Sequence, residues 1–221
     1  MQLRLLLPLA LTVGLSATAG VYTSSPGITI PDQNASGAVD SITVSGETAE
    51  TWAVSVQLNL TGGYNGDLLA YLTYGGQTIT LLNRVGTGSG SSYGYADAGL
   101  NLTLVDGAAN GNIHNYQTGV GYAPLIGNGS AWQPDSGGTT FATTFNGLNP
   151  NGTWSLFISD LSGGGQSTLV DWSLGITPVP EPVNVALGLF GVTFGGLAVI
   201  RFLLKQRSLH RVNQSACAET L

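Results

Sequence analysis

From Thr51 onward the chain alternates with a period of two. In WAVSVQLNL, Trp52, Val54, Val56, Leu58 and Leu60 are separated by Ala53, Ser55, Gln57 and Asn59, as in a strand with one face in a core and the other in water. GLNLTLVD repeats the device with Leu100, Leu102 and Leu104, and TWSLFISD repeats it with Trp154, Leu156 and Ile158. DLLAYLTY, QTITLL, SITVS, TTFATTF and TLVDWSLGI add runs rich in β-branched or aromatic residues. Asn65-Gly66, Gly75-Gly76, Asn149-Pro150-Asn151-Gly152 and Gly163-Gly164-Gly165 separate these runs with turn residues. Residues 20 to 182 show no period of 3.6. About eight strands joined by turns predict an all-β domain built as an antiparallel β-sandwich. Trp154 and Trp172 fall on the apolar phase of their strands and are expected in its core.

The two ends read differently. Arg4, the apolar stretch Leu5 to Leu15 and the small residues of Ala17-Thr18-Ala19 have the layout of a signal peptide over residues 1–19, cut after Ala19. Residues 183–204 carry Arg201 as their sole charge. As a helix they would extend about 33 Å, enough for a hydrocarbon core of about 30 Å. Arg201, Lys205, Arg207 and Arg211 follow the apolar run, so the positive-inside tendency assigns 205–221 to the cytoplasm and the body of the chain to the outside. Between body and span, residues 178–182 form a linker. Pro180 and Pro182 fix φ and remove two N–H donors, which keeps this stretch extended.

Pro180-Glu181-Pro182, an apolar span and a basic cluster together resemble the PEP-CTERM sorting signal of bacterial exported proteins. The resemblance implies processing by exosortase, a membrane cysteine protease that cuts near the motif and passes the outer part to the cell surface or extracellular matrix. The basic residues Arg201, Lys205 and Arg207 would then anchor the span transiently in the inner membrane. This chain departs from the pattern by continuing through Ser208 to Leu221.

Charge narrows the choice of partners. Residues 20–182 hold eleven acidic residues against Arg84 alone, a net charge of −10. Nucleic acid is excluded as a partner, because phosphate binding needs Lys and Arg. The sole cysteine, Cys217, lies in the tail, so the outer domain has no disulfide, and cations suit its surface better.

IPDQNASGAVDSITVSG, GGYNGDLLAYLTYGGQTITLLNR and FNGLNPNGTWSLFISDLSGGGQSTLVDWSL resemble, in order, the start, middle and end of the P domain (Homo B domain). That module accompanies proprotein convertases and other subtilisin-like proteases. The likeness covers residues 28 to 176 and is most specific at Gly66-Asp67-Leu68, Gly152-Thr153-Trp154 and Trp172-Ser173-Leu174. It implies a jelly-roll sandwich over residues 20–177, and stabilisation and calcium-dependent tuning of a neighbouring protease. No catalytic domain accompanies it here. His114 is the one histidine outside the tail, and the Gly-x-Ser-x-Gly match around Ser92 lacks the helix that a nucleophile elbow requires. The chain is therefore expected not to be an enzyme. Paired carboxylates for glycan hydrolysis are not evident either.

For calcium, Asp97, Asp106 and Asp160 are the expected ligands, being loop or strand-end carboxylates; otherwise they are solvated residues capping turns. Tyr116, Tyr122 and Trp132 lie in a long connecting segment and either form a glycan platform or plug the open ends of the sandwich. The leading expectation is an exported, non-catalytic structural or adhesive component of the surface or polysaccharide matrix. The alternative is an accessory domain that binds and stabilises a separately encoded subtilisin-like serine protease.

Overall fold

The computed structural model describes residues 19–47, 50–88, 91–118 and 129–178, and near the C-terminus 193, 195–197 and 199–205. The chain divides into two units, of which Ala17–Val179 holds the strands. Ten strands are formed among the described residues: β1 (Gly20–Ser24), β2 (Ile28–Thr29), β3 (Asn34–Val44), β4 (Thr51–Gly62), β5 (Leu68–Tyr74), β6 (Gln77–Asn83), β7 (Leu100–Val105), β8 (Ser130–Trp132), β9 (Gly152–Asp160) and β10 (Ser167–Pro178). One sheet runs β1-β10-β4-β7-β8, with β2 also on β10; the other runs β3-β9-β5-β6. The result is a β-sandwich with more strands than the eight expected. The additional ones, β1, β2 and β8, are short and carry little alternation of their own.

Alternation explains which face each strand buries. In β9, Trp154, Leu156 and Ile158 point inward, and Thr153, Ser155 and Phe157 point outward. Leu58, Leu72, Leu102, Leu174 and Trp172 meet them in the core. Burying one such side chain contributes about 1.5–3 kcal/mol, so the period-two pattern largely determines the sandwich. Trp154 stacks on Tyr74 with ring centres 4.0 Å apart and meets Phe145 edge-on at 5.0 Å. The indoles of Trp154 and Trp172 also have hydrogen-bond acceptors. Trp154 Nε1 donates to the Pro150 carbonyl at 2.9 Å, and Trp172 Nε1 donates to Asp40 Oδ2 at 2.7 Å. The second bond ties the two sheets together. Gly75-Gly76 turns β5 into β6 with φ of +57° and +77°, the left-handed pair that a two-residue hairpin favours.

Two expectations are corrected. TTFATTF is not a strand, because Phe141–Phe145 forms a short helix, α1. Thr140 and Thr143 make reciprocal capping bonds, and Asp106 accepts the N–H groups of Phe141 and Ala142 at 2.9 and 2.8 Å. Phe141 and Phe145, four residues apart, then share one buried side of the turn. Nor is the domain wholly antiparallel, since β7 and β8 pair in parallel.

The predicted signal peptide, apart from Ala19, and the Pro180-Glu181-Pro182 motif lie outside the described residues. In the second unit, residues 193, 195–197 and 199–205 are helical, and Arg201 and Lys205 are exposed there; Arg207 lies outside the described residues. Among the described residues no helix is long and apolar enough to cross a membrane.

Replacing Asp40 with Ala leaves the buried Trp172 N–H without its acceptor. Urea denaturation should show a loss of about 1–3 kcal/mol, whereas Ser41→Ala, an exposed neighbour on the same strand, should lie within about 0.5 kcal/mol of wild type.

Candidate binding cleft

At the end of the sandwich where β5 begins and β9 finishes, residues 63–67, 84–88, 91–99 and 161–166 of three connections pack together. Asn65–Asp67 makes a single 3-10 turn. Its backbone is held by the loop opposite, with Asn65 N donating to the Asp97 carbonyl and Gly66 N to the Tyr95 carbonyl, both at 2.9 Å. A Cβ on Gly66 would lie 2.6 Å from the Tyr95 nitrogen, so a larger residue would push these two segments apart. This close approach, rather than the turn alone, is what the Asn-Gly-Asp sequence provides.

The joined segments line a cleft of about 210 Å³, walled by Tyr64, Asp67, Tyr93, Gly94, Tyr95, Ala96, Ser162 and Gly163. Tyr93 is 74% exposed and Tyr64 41%, so two aromatic rings reach solvent at its rim. Asp67 is buried in its wall. Arg84, the sole cation of the outer domain, donates from Nη2 to the Ser92 carbonyl and to Ser162 Oγ, both at 3.3 Å. Among the described residues it makes no ion pair, since the one pair found joins His114 and Asp135.

The expected metal ligands do not come together. Asp106 is committed to the start of α1. Asp97 Oδ2 accepts the Tyr116 hydroxyl at 2.9 Å and also the Gln117 amide. Asp160 lies wholly buried at the end of β9, with Oδ1 accepting Ser162 N at 3.2 Å and Oδ2 without a hydrogen-bond partner. Among the described residues no group of three or more His, Cys, Asp or Glu is arranged to hold a metal ion. The charges that act on Asp160 are those of Asp67 and Asp32. Burial, opposed by the Ser162 N–H and reinforced by those two carboxylates, pushes its acidity constant from 3.8 up to about 6.

The glycan platform is corrected at two of its three positions. Tyr116 and Trp132 are 1% and 2% exposed and belong to the core; Tyr122 lies outside the described residues. Tyr116 packs edge-on against Tyr95 at 4.6 Å, and its hydroxyl joins Asn65 Nδ2 at 3.2 Å. These rings close the end of the sandwich, the other of the two roles expected for them. The rim residue Tyr64 was missed because it lies in a Gly-rich turn without alternation; its one sequence signal is its place directly before Asn65-Gly66.

His114 has both ring nitrogens engaged, Nδ1 with Asp135 Oδ2 at 2.6 Å and Nε2 with the Thr87 carbonyl at 2.8 Å. Two acceptors require two N–H donors, which is the protonated ring. Burial pulls its acidity constant down, but the Thr87 carbonyl and Asp135 outweigh that and raise it overall. The ring therefore clamps two loops, and neither nitrogen is directed at a serine. Residues 91–99 around Ser92 run without a helix into β7.

No family model matches the chain, and no curated protein matches it. Among solved structures it is similar to a serine protease of Aeromonas sobria, at 15% identity and a TM-score of 0.42, over 73% of this chain and 27% of that one. It is also similar to a structure of the Aeromonas sobria serine protease and its ORF2 chaperone in complex, at 15% identity and a TM-score of 0.43, over 74% of this chain and 28% of that one. The chain thus spans little more than a quarter of the length of either match.

Two proton linkages of the same sign, each from a pKa raised on folding, predict a downward slope of stability in different pH windows. Folded Asp160 holds its proton more tightly than the unfolded chain does, so in metal-free buffer stability should fall as pH rises from about 4 to about 6; Asp160→Asn should flatten that limb. His114 stabilises the fold when charged, fully below about 6.5, and that contribution should fade as pH climbs through its raised value. His114→Gln should remove this second limb and leave the first. Thermal melts at half-unit pH steps check both.

Proposed function

We propose that this chain is an exported, non-catalytic module whose sandwich docks on a separately encoded subtilisin-like serine protease and stabilises it. The observation that carries this reading is the outer face of the β3-β9-β5-β6 sheet. Val39, Phe157 and Tyr71 stand opposite one another across three neighbouring strands, and Tyr71 pairs onward with Thr80. Tyr71 and Phe157 stack at 5.7 Å, and Val39 is 59% exposed. The next row is Ser41, Ser155, Thr73 and Thr78, with hydroxyls bonded at 3.0 Å at each end. These rows carry no charge in a domain whose net charge is −10. A protein can cover such a face without dehydrating ions, and aromatic residues with few charges mark interface cores. The P-domain likeness of the blocks forming β5, β9 and β10 supports a protease as the partner. The tail supports delivery outside the inner membrane by exosortase-type sorting, with transient anchoring through residues 183–204.

A second reading is a structural or adhesive component of the surface matrix that binds polysaccharide. The cleft favours it, because Tyr64 and Tyr93 offer exposed ring faces beside the Asp67 carboxylate.

Co-expression with subtilisin-like proteases of the same genome that lack a P domain separates the two. The docking reading expects a complex on size exclusion and a several-fold longer protease half-life at elevated temperature. Phe157→Glu should abolish both while moving this protein's own melting midpoint by less than about 2 °C. Absence of any complex, with saturable glycan binding lost in Tyr93→Ala, would establish the second reading in its place.

A further inference from the structure

The turn after β9 gathers negative charge with which Arg84, the cation beside it, forms no ion pair. Asp160 is paired on one side with Asn34 of β3 and on the other with Leu68 of β5, so its carboxylate is enclosed by three strands. The residue before Leu68 is Asp67, itself buried, and its carbonyl accepts Leu161 N at 2.9 Å. Asp32 Oδ2 accepts Gly164 N at 3.3 Å. Three acidic residues from three separate segments are thus tied to one turn, 160–164. Arg84 reaches the same turn at Ser162 Oγ but forms no ion pair with any of them.

The independent observation is Asp160 Oδ2, which is wholly buried and has no hydrogen-bond partner. A buried carboxylate oxygen without a donor is costly. A hard cation relieves both the missing partner and the repulsion among neighbouring carboxylates. Since no three acidic, His or Cys side chains enclose an ion here, the ion has to accept backbone carbonyls and water as well. Calcium does so, taking six to eight oxygens in flexible geometry, whereas magnesium demands a near-ideal octahedron. Asp67 also lines the tyrosine cleft, which gives an ion a route from solvent.

We propose that Asp160 Oδ2 and the Asp67 carboxylate are the anionic ligands of one calcium-sized cation at this strand junction, with Asp32 adding outer charge and with backbone carbonyls and water completing the shell. The site is independent of which macromolecule the domain binds, so its failure would leave the docking reading untouched.

The test uses the full-length protein at pH 7.5. Saturating Ca²⁺ should raise the melting midpoint by about 5 °C or more over chelator, and Mg²⁺ at the same concentration by less than half as much. Tb³⁺ should give tyrosine-sensitised emission through Tyr64, Tyr93 and Tyr95, displaced by Ca²⁺. Asp160→Asn keeps the shape and removes the buried charge. It should fold, melt higher than wild type in chelator, and lose both responses; Asp67→Asn should weaken the Tb³⁺ signal at least tenfold. An unchanged wild-type midpoint with Ca²⁺, or a Ca²⁺ response retained in Asp160→Asn, would overturn the assignment.

Discussion

The end of β9 imposes the hardest electrostatic constraint in this fold. Paired with strands on both sides, Asp160 is wholly buried, and the hydrogen bonds around it satisfy one oxygen and not the other. The same registers that bury Trp154, Leu156 and Ile158 on the inner face bring Asp67 up beside it. The core and the acidic turn are therefore one arrangement. Sliding β9 by two residues against β5 would keep the apolar pattern but separate the acids.

The domain divides its chemistry between two regions. Asp67 and Asp160 gather at one end of the sandwich, beside the exposed rings of Tyr64 and Tyr93. The broad face of the second sheet is neutral, with Val39, Phe157 and Tyr71 in line and hydroxyl rows beside them. A bound cation at the end would stiffen the start of β5 and the close of β9, the two strands that carry Tyr71 and Phe157. That gives a physical route from ion binding to the geometry of the docking face. His114 has a comparable structural task elsewhere, clamping the loops that hold Thr87 and Asp135.

Long, strictly alternating strands were readable from the residues, because β4, β7, β9 and β10 each bury one side in a single core. TTFATTF misled, because four threonines and two phenylalanines in seven residues have the composition of a strand. The capping acceptor that makes it helical, Asp106, lies 35 residues earlier in the chain. The three expected metal ligands are not assembled together, for a related reason. That Asp97, Asp106 and Asp160 sit at loops or strand ends was visible, but which ends meet is set by the order β3-β9-β5. Only pairing across that sheet brings Asp67 and Asp32 to Asp160. Likewise, aromatic residues in loops do not announce whether they turn inward, as Tyr116 and Trp132 do, or outward, as Tyr93 does.

Metal analysis of exhaustively dialysed full-length protein, equilibrated with micromolar Ca²⁺ and weighed by native mass spectrometry, addresses the buried carboxylate most directly. About one tightly held calcium per chain, lost in Asp160→Asn but kept in Asp97→Asn and Asp106→Asn, is the expected result. A wild-type chain that retains no calcium, or one whose ion depends on Asp97 or Asp106 and not on Asp160, would contradict the account.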